Sequence, residues 1–230
     1  MSGRRQLSAR SAYPITLVQS DEMARTRKSA PATSSLRIIG GQWRGRKLAF
    51  KPAAGLRPTT DRVRETLFNW LAPSIHQARC LDLFAGSGAL GLEALSRGAG
   101  YCDFVDLAAP ATDQLAAHLA TLGAAARARC HRRAADDFLQ GGPQPYDIVF
   151  VDPPFGRDLV EPACAQLEAM HLLRPHALVY VESAAGEGPP AVPASWVLHR
   201  EKIAGGVSYR LFMANCLPSP ADTATTGRPS

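Results

Sequence analysis

The sequence lacks the features that would associate it with a membrane or a metal ion. No apolar run approaches the roughly 18 residues of a membrane-spanning helix, and the N-terminus has no apolar signal segment. The five cysteines are widely separated and form no Cys-x-x-Cys or Cys/His pattern. We therefore expect reduced thiols, no bound metal and a cytoplasmic location. At 230 residues, 46% of them hydrophobic, the chain can bury a core without cross-links.

Acidic residues are scarce in the N-terminal quarter of the chain. Residues 1–64 contain 14 Lys and Arg but only three Asp and Glu, a net charge of +11, whereas the remaining residues carry a net charge of −5. A basic segment attached to an acidic body is typical of a protein that binds a polyanion with one part of its surface. A basic tail that is merely solvated stays open as the alternative.

Composition divides the chain into four predicted parts. Residues 1–35 are rich in Ser, Ala, Arg, Thr and Pro without an apolar period, and we expect a disordered basic tail. Residues 36–75 contain two short strand-like runs around a glycine turn and then a helix that begins after Thr60, which predicts a small basic hairpin and helix extension. Residues 76–216 should form the main domain, and residues 217–230 a flexible tail.

Strand-like and helix-like segments alternate from residue 78 onward. The apolar strand-like runs are 80–85, 101–105, 128–131, 146–151 and 177–181, and the helix-like segments between them are 89–97, 111–122, 136–140 and 159–172. Such alternation predicts an α/β fold with a parallel sheet covered by helices on both faces. Two last strand-like runs, 196–203 and 209–214, are separated by a short glycine-containing turn, which predicts an antiparallel hairpin.

A glycine-rich loop follows the first of these strands. Gly86, Gly88 and Gly91 fit the pattern Gly-x-Gly-x-x-Gly, and Asp106 follows at about the 20-residue offset of a ribose-binding acid. Asp82 at the strand end would repel the pyrophosphate of a nicotinamide cofactor but attract the ammonium and sulfonium groups of S-adenosylmethionine. We therefore predict that S-adenosylmethionine binds here. The alternative is that the glycines only allow the helix and strand to pack closely.

A second motif, Asp152-Pro153-Pro154-Phe155, ends another apolar strand. The prolines lack amide donors and have a fixed φ, so the loop should be stiff. The Asp152 carboxylate and the Pro153 carbonyl can accept the two hydrogens of an exocyclic base amine and favour a pyramidal, nucleophilic nitrogen. Phe155 can stack on a flipped-out base. The motif predicts methylation of a base amine; a proline strand terminator is the alternative.

The two motifs, in this order, resemble the class I amino-methyltransferases. Segments 37–47, 57–68 and 152–155 are in addition similar to the RsmD family, the 16S rRNA (guanine-966-N2)-methyltransferases, and the similarity covers about residues 36–214. The resemblance implies a class I Rossmann-like fold with a seven-stranded, mostly parallel sheet. It also implies methyl transfer from S-adenosylmethionine to a guanine N2 amine of 16S rRNA in the small ribosomal subunit.

The same resemblance assigns residues to roles. It implies cofactor contacts from Asp82, Phe84, Gly86, Gly88 and Asp106, with Asp152, Pro153, Pro154 and Phe155 at the target base. The cations then expected to bind RNA phosphates are Arg37, Arg44, Arg46, Lys47, Arg57, Arg62 and Arg64. One departure concerns the cofactor adenine: Ala134 stands where many related enzymes have an adenine-binding acid, and either Asp136 or a backbone group could replace it. Adenine recognition stays open.

Three other functions compete with this interpretation. A DNA adenine-N6 or cytosine-N4 methyltransferase also uses Asp-Pro-Pro-aromatic loops, and only the N-terminal motifs favour RNA. An NAD-type dehydrogenase would explain the glycines but would leave the Asp152–Phe155 motif without a use. A non-catalytic RNA-binding protein would not need Asp82, Asp106 and Asp152. We expect the protein to be a monomer.

Overall fold

The computed structural model describes residues 34–50 and 60–214. Arg57, the C-terminal tail 217–230 and nearly all of the predicted N-terminal tail lie outside these residues. The strands are β1 (Ser34–Arg37), β2 (Lys47–Phe50), β3 (Arg79–Asp82), β4 (Tyr101–Asp106), β5 (Ala128–Arg132), β6 (Tyr146–Val151), β7 (Leu173–Ala184), β8 (Trp196–Ala204) and β9 (Val207–Ala214). The helices are α1 (Asp61–Leu71), α2 (Ala89–Ser96), α3 (Ala109–Thr121), α4 (Ala135–Gln140) and α5 (Val160–Ala169).

Seven of the strands form one sheet in the order β5-β4-β3-β6-β7-β9-β8. Strands β3 to β7 are parallel, and β9 is antiparallel to both β7 and β8. The predicted α/β architecture with a C-terminal antiparallel pair is confirmed. The chain builds outward from β3 to β5 and then returns to place β6 on the other side of β3. A ligand is expected at such a reversal of strand order, outside the carboxyl ends of the strands.

Helices cover both faces of the sheet and create two apolar cores. One core lies under α1, α2 and α3 and includes Leu67, Leu92 and Leu115; the other lies under α4 and α5 and includes Phe138 and Leu167. Burying a side chain of this size stabilises the fold by about 1.5–3 kcal/mol. No helix in the described part of the chain is both long and apolar enough to span a membrane.

Helix α1 has the predicted apolar face. Val63, Leu67 and Leu71 recur at the helical spacing and are buried, whereas Arg62 is exposed. The hydroxyl of Thr60 accepts a hydrogen bond from the backbone N–H of Val63 and caps the first turn. The helix therefore packs on the sheet through one side and presents a basic residue on the other.

Strands β1 and β2 pair antiparallel around a short 3-10 helix, Gly41–Trp43, as the sequence predicted. This hairpin is fixed to α2 by hydrogen bonds. The backbone N–H groups of Ile39 and Gly40 each donate to the Glu93 carboxylate at 2.8 Å, and the Trp43 N–H donates to the Ser96 hydroxyl at 3.0 Å. The hairpin therefore rests on the helix that follows the glycine loop.

Strand β7 is longer than the predicted run 177–181. At its carboxyl end it continues through Glu182 and Ser183, which pair with Tyr209 and Ser208 of β9. Both polar residues are buried, with exposed fractions of 4% and 5%. The extension brings an acidic side chain to the edge of the sheet where β6 also ends.

Candidate active site

The two sequence motifs lie on neighbouring strands at the same edge of the sheet. Asp82, the last residue of β3, is in register with Phe150 of β6, and the Leu83 N–H donates to the Phe150 carbonyl at 3.1 Å. Asp152 follows Phe150 by two residues. The structure therefore brings the glycine loop and the Asp-Pro-Pro-Phe loop together at the reversal of strand order.

The glycine loop requires glycine at specific positions for two different reasons. Gly86 and Gly88 have φ values of 52° and 77°, in the left-handed region that disfavours other residues. Gly91 faces the sheet, where a Cβ would collide with the ring of Phe104. The close-packing explanation therefore holds for Gly91, whereas Gly86 and Gly88 shape the loop before α2.

Asp82 is buried beside the first turn of α2. Its exposed fraction is 2%, and its carboxylate accepts a hydrogen bond from the Gly91 N–H at 2.9 Å. Burial raises the pKa of Asp82 to about 7; the Gly91 hydrogen bond opposes this effect and the charge of Asp106 adds to it. A cationic ligand placed nearby would favour the ionised carboxylate and lower this pKa again.

Asp106 at the end of β4 braces the same loop. One carboxylate oxygen accepts a hydrogen bond from the Gly86 N–H at 2.8 Å, and the other accepts from the Ala108 N–H at 2.7 Å. A carboxylate offers about four acceptor positions, so these two bonds leave capacity for ribose hydroxyls. Phe84, on the loop between Asp82 and Gly86, is partly buried against the second core.

The region expected to hold the cofactor adenine contains no buried acid at the start of α4. Ala134 precedes this helix and is half-buried, while Asp136 in its first turn is exposed. Burial therefore does not mark either residue as the group that binds the adenine. Within residues 34–50 and 60–214, no three His, Cys, Asp or Glu side chains lie close enough together to hold a metal ion.

Residues Pro153, Pro154 and Phe155 form one wall of a cleft of about 340 Å³, whereas Asp152 and the glycine loop are not part of its lining. Pro153 is buried and Phe155 is 40% exposed, so the aromatic ring is accessible to a ligand. The opposite wall is the carboxyl end of β7 and the segment that follows it. The lining includes Pro153, Pro154, Phe155, Arg157, Asp158, Glu161, Glu182, Ser183 and Glu187. The volume is at the small end of the range for ligand pockets.

Most of the predicted phosphate-binding cations are exposed on the hairpin and α1. Arg44, Arg46 and Lys47 extend from the hairpin into solvent, and Arg62 does so from α1. Arg37 is about half exposed and pairs with Asp61 at 2.9 Å. These exposed cations of the hairpin and α1 make up the basic surface of this part of the chain.

The expectation that Arg64 contacts phosphate is wrong. Its exposed fraction is 1%, and its guanidinium donates to the Arg37 carbonyl at 2.9 Å and to Asp61 at 2.6 Å. A further nitrogen lies 3.7 Å from the Glu93 carboxylate. Because the guanidinium is buried and engaged by these groups, it cannot reach a phosphate; it connects α1 to the hairpin and α2.

Two acidic residues near these motifs were not identified from the sequence. Glu93 lies in the otherwise apolar helix α2, and Glu182 ends the apolar part of β7. A charged residue inside an apolar segment must find a partner, because burying an unpaired charge is costly. This rule could have identified both residues from the sequence as buried acids with partners.

The order of the seven strands, together with a glycine loop after the first strand of the sheet, defines a class I methyltransferase fold. A family profile described as "Conserved hypothetical protein 95" matches residues 36–213. The chain is 56% identical over 180 residues to "Ribosomal RNA small subunit methyltransferase D" of Escherichia coli (strain K12), covering 78% of this chain and 90% of the relative. The protein of the same name from Haemophilus influenzae is 49% identical over 184 residues, covering 79% and 95%.

Solved structures agree with the sequence relatives. The structure of yhhF from Escherichia coli, whose name calls it a methyltransferase, has a TM-score of 0.73 and 54% identity, covering 79% of this chain and 99% of that chain. A methylase from Haemophilus influenzae, HI0767, has a TM-score of 0.69 and 45% identity with the same coverage. This protein therefore belongs to the family of ribosomal RNA small subunit methyltransferase D, and the family resemblance of its sequence is confirmed.

Proposed function

We propose that this protein transfers a methyl group from S-adenosylmethionine to the exocyclic N2 amine of a guanine in the 16S rRNA of the small ribosomal subunit. The observation that carries the proposal is the position of Asp152, two residues beyond the register partner of Asp82 on the adjacent strand. This position supports the proposal, because it brings the loop proposed to bind the amine close to the loop proposed to bind the cofactor. The names of the relatives support rRNA as the substrate class.

The residues around the glycine loop fit S-adenosylmethionine. Bound there, the cofactor supplies a methyl group on a sulfonium. Asp82 would attract the cationic amino-acid end, since its pKa of about 7 leaves it ready to ionise when a cation approaches. Asp106 would accept the ribose hydroxyls, and Phe84, Gly86 and Gly88 would line the cradle. A nicotinamide dinucleotide fits less well, because its pyrophosphate would approach Asp82.

Asp152 and Pro153 would act on the target amine. The Asp152 carboxylate and the Pro153 carbonyl accept one amine hydrogen each, so the nitrogen lone pair is turned out of the ring plane towards the methyl group. Asp152 would take up the proton that the amine nitrogen loses when it accepts the methyl group. Pro154 stiffens the loop and Phe155 stacks on the base, so positioning supplies much of the rate enhancement.

The basic surface would hold the RNA backbone. Arg44, Arg46 and Lys47 on the hairpin and Arg62 on α1 are exposed and can neutralise phosphates, with Arg37 beside them. The expected contribution of Arg57 lies outside the described residues. Such contacts orient the substrate but do not read its sequence. We expect the enzyme to act as a monomer in the cytoplasm.

Radioactive methyl transfer tests the proposal. The protein is incubated with tritium-labelled S-adenosylmethionine and, separately, with small ribosomal subunits from cells that lack this gene, naked 16S rRNA and duplex DNA; nucleosides from each product are then identified. N2-methylguanosine from the ribosomal substrates is the expected result. Label in N6-methyladenine or N4-methylcytosine of DNA would instead favour the DNA methyltransferase, and the absence of transfer to any substrate would favour a non-catalytic protein.

A further inference from the structure

Glu182 lies near the carboxyl end of β7, and Asp152 directly follows the neighbouring parallel strand β6. Phe150 and Tyr180 are in register on β6 and β7, and their rings are 6.4 Å apart on the same face. Side chains alternate along a strand, so Glu182, two residues after Tyr180, lies on this face too. The Tyr180 hydroxyl donates to a Glu182 carboxylate oxygen at 2.8 Å, which agrees with that placement.

The Tyr180 phenol lies close enough to Glu182 and Asp152 for both charges to affect its pKa. Burial raises the pKa of the Tyr180 phenol well above its usual value, and the charges of Glu182 and Asp152 both raise it further. The phenol therefore stays protonated and continues to donate to Glu182. Its hydrogen bond orients the carboxylate of a residue that is 4% exposed, on the strand paired with the one that Asp152 follows.

The cleft beyond this edge suits the donors of a base rather than the phosphates of a backbone. Four acidic residues line it, Asp158, Glu161, Glu182 and Glu187, against one cation, Arg157. An ionised carboxylate accepts hydrogen bonds and donates none, so these residues favour N–H groups and repel phosphate. Glu182 is the member of this set that lies on the sheet, where packing holds it in place.

The three base amines that such loops methylate differ at the adjacent ring nitrogen. In guanine two ring nitrogens flank the N2 amine: N1 carries a hydrogen and donates, whereas N3 accepts. In adenine the one ring nitrogen beside the N6 amine, N1, is an acceptor, and in cytosine N3 beside the N4 amine is an acceptor as well. A carboxylate on the N1 side of the guanine amine attracts guanine and repels the lone pairs that adenine and cytosine present there.

We infer that Glu182 is the residue that selects guanine, by accepting the N1–H of the base whose N2 amine is held by Asp152. The inference rests on the proposed function and adds its base specificity. Glu182 does not touch the reacting atoms; it determines which base can enter the site with its amine near the methyl group. Sites that hydrogen-bond a substrate N–H reject analogues without it strongly, and here the carboxylate would face a ring-nitrogen lone pair instead of a donor.

The test compares guanine with 2-aminopurine, which keeps the 2-amine but has an unprotonated N1. Once the modified nucleotide has been mapped, small-subunit rRNA is assembled by ligation with guanine, 2-aminopurine or 6-thioguanine at that nucleotide. The last of these keeps the N1–H and alters only the 6-position. Wild-type protein should methylate guanine at least about 100-fold more efficiently than 2-aminopurine, measured as kcat/KM, and should accept 6-thioguanine much better than 2-aminopurine.

The variant Glu182→Gln should lose most of the preference for guanine over 2-aminopurine. The glutamine carbonyl can still accept from Tyr180, and the amide NH₂ is a donor that suits the unprotonated N1 of 2-aminopurine. We expect the guanine to 2-aminopurine ratio to fall below about tenfold, through lower activity on guanine and higher activity on the analogue. The matched control is Glu168→Gln on α5, a part-buried glutamate that accepts from the Trp196 indole and lies outside the cleft lining. Its ratio should equal that of the wild type.

Each outcome separates this inference from the proposed function. If the wild-type protein forms no N2-methylguanosine, the proposed function fails and this inference fails with it. If the wild-type protein methylates guanine and 2-aminopurine with equal kcat/KM, the inference alone is overturned. This result does not depend on whether the Glu182→Gln variant folds. An unchanged ratio in a folded Glu182→Gln protein, with activity reduced on both bases alike, would also overturn it and leave Glu182 a structural role.

Discussion

The Glu93 carboxylate accepts a hydrogen bond from the backbone N–H of Gly40 at 2.8 Å, and so joins the basic hairpin to the helix that follows the glycine loop. The same side chain accepts from Ile39 at 2.8 Å and pairs with Arg97 at 2.7 Å. Because α2 begins directly after Gly88 and carries Glu93 in its second turn, the surface proposed to bind RNA is fixed relative to the loop proposed to hold the methyl donor.

Replacing this carboxylate should destabilise the protein. Glu93 is fully buried, and Glu93→Gln would remove the charge that pairs with Arg97 at 2.7 Å and lies 3.7 Å from a nitrogen of the buried Arg64, so we expect a loss of about 3 kcal/mol in the free energy of unfolding. Urea denaturation measures it. The control is Glu65→Gln, the same chemical change at an exposed position of α1, which should stay within about 0.5 kcal/mol of wild type. Equal stability of the two variants would contradict the assigned role of Glu93.

The hairpin cations should determine the salt dependence of RNA binding. Each phosphate contact adds roughly 0.7–0.9 to the slope of log K against log salt, so the double variant Arg46→Ala/Lys47→Ala should weaken binding and reduce the slope by about 1.5. Filter binding of small-subunit rRNA over a range of salt concentrations measures both effects. Arg129→Ala/Arg174→Ala removes two exposed cations from elsewhere on the molecule and should leave the slope unchanged. An unaltered slope in the hairpin variant would show that these residues do not contact phosphate.

The positions of Asp82 and Asp152 could be predicted because their signals are local in the sequence. Each follows or ends an apolar strand, and the ends of parallel strands meet at one edge of a sheet. The glycine pattern and the two prolines mark the loops with equal clarity. Topology then needs only the alternation of strands and helices, which predicted the sheet and its antiparallel end.

The surroundings of Arg64 and Glu182 could not be predicted because they depend on contacts between distant segments. Arg64 lies in a basic stretch and its sequence neighbours suggest an exposed cation, yet the hairpin and Glu93 of α2 cover it. Glu182 ends an apolar run and resembles the start of a loop. It becomes buried strand because β9 pairs with this end of β7.

Asp82→Asn should stabilise the cofactor-free protein at alkaline pH. The folded-state pKa of about 7 exceeds the unfolded value of 3.8, so the contribution of Asp82 to stability is fully present below 3.8 and is lost as pH rises through 7. A neutral asparagine avoids that loss. One pKa unit corresponds to about 1.4 kcal/mol, and we expect a gain of at least about 1 kcal/mol at pH 8 that shrinks towards pH 5.

Urea denaturation of the Asp82 variant at several pH values measures this gain. Asp113→Asn, at an exposed position of α3, serves as the control and should change stability equally little at every pH. A variant that is less stable than wild type at pH 8 would show that the buried carboxylate is held in its ionised form by the native structure.

Cofactor binding should be coupled to the ionisation of the same residue. A cation bound beside Asp82 lowers its pKa, so binding at pH 6 should release up to one proton, and affinity should rise with pH until about 7 and then level off. Calorimetry in two buffers with different ionisation enthalpies counts the protons. In Asp82→Asn both the proton release and most of the affinity should disappear. Proton uptake on binding by the wild-type protein would contradict the proposed contact.

Asp152→Ala should abolish methyl transfer and leave cofactor binding intact. Asp152 lies beyond the end of β6, whereas the groups proposed to bind the cofactor are on β3, β4 and the glycine loop, so its removal takes away an acceptor for the amine alone. Losing one such preorganised group costs about 100- to 1000-fold in kcat. Single-turnover methyl transfer measures the rate, and calorimetry measures cofactor affinity. A large loss of cofactor affinity in this variant would place Asp152 at the cofactor instead, because a residue that acts only on the amine has no means of weakening a ligand it does not touch.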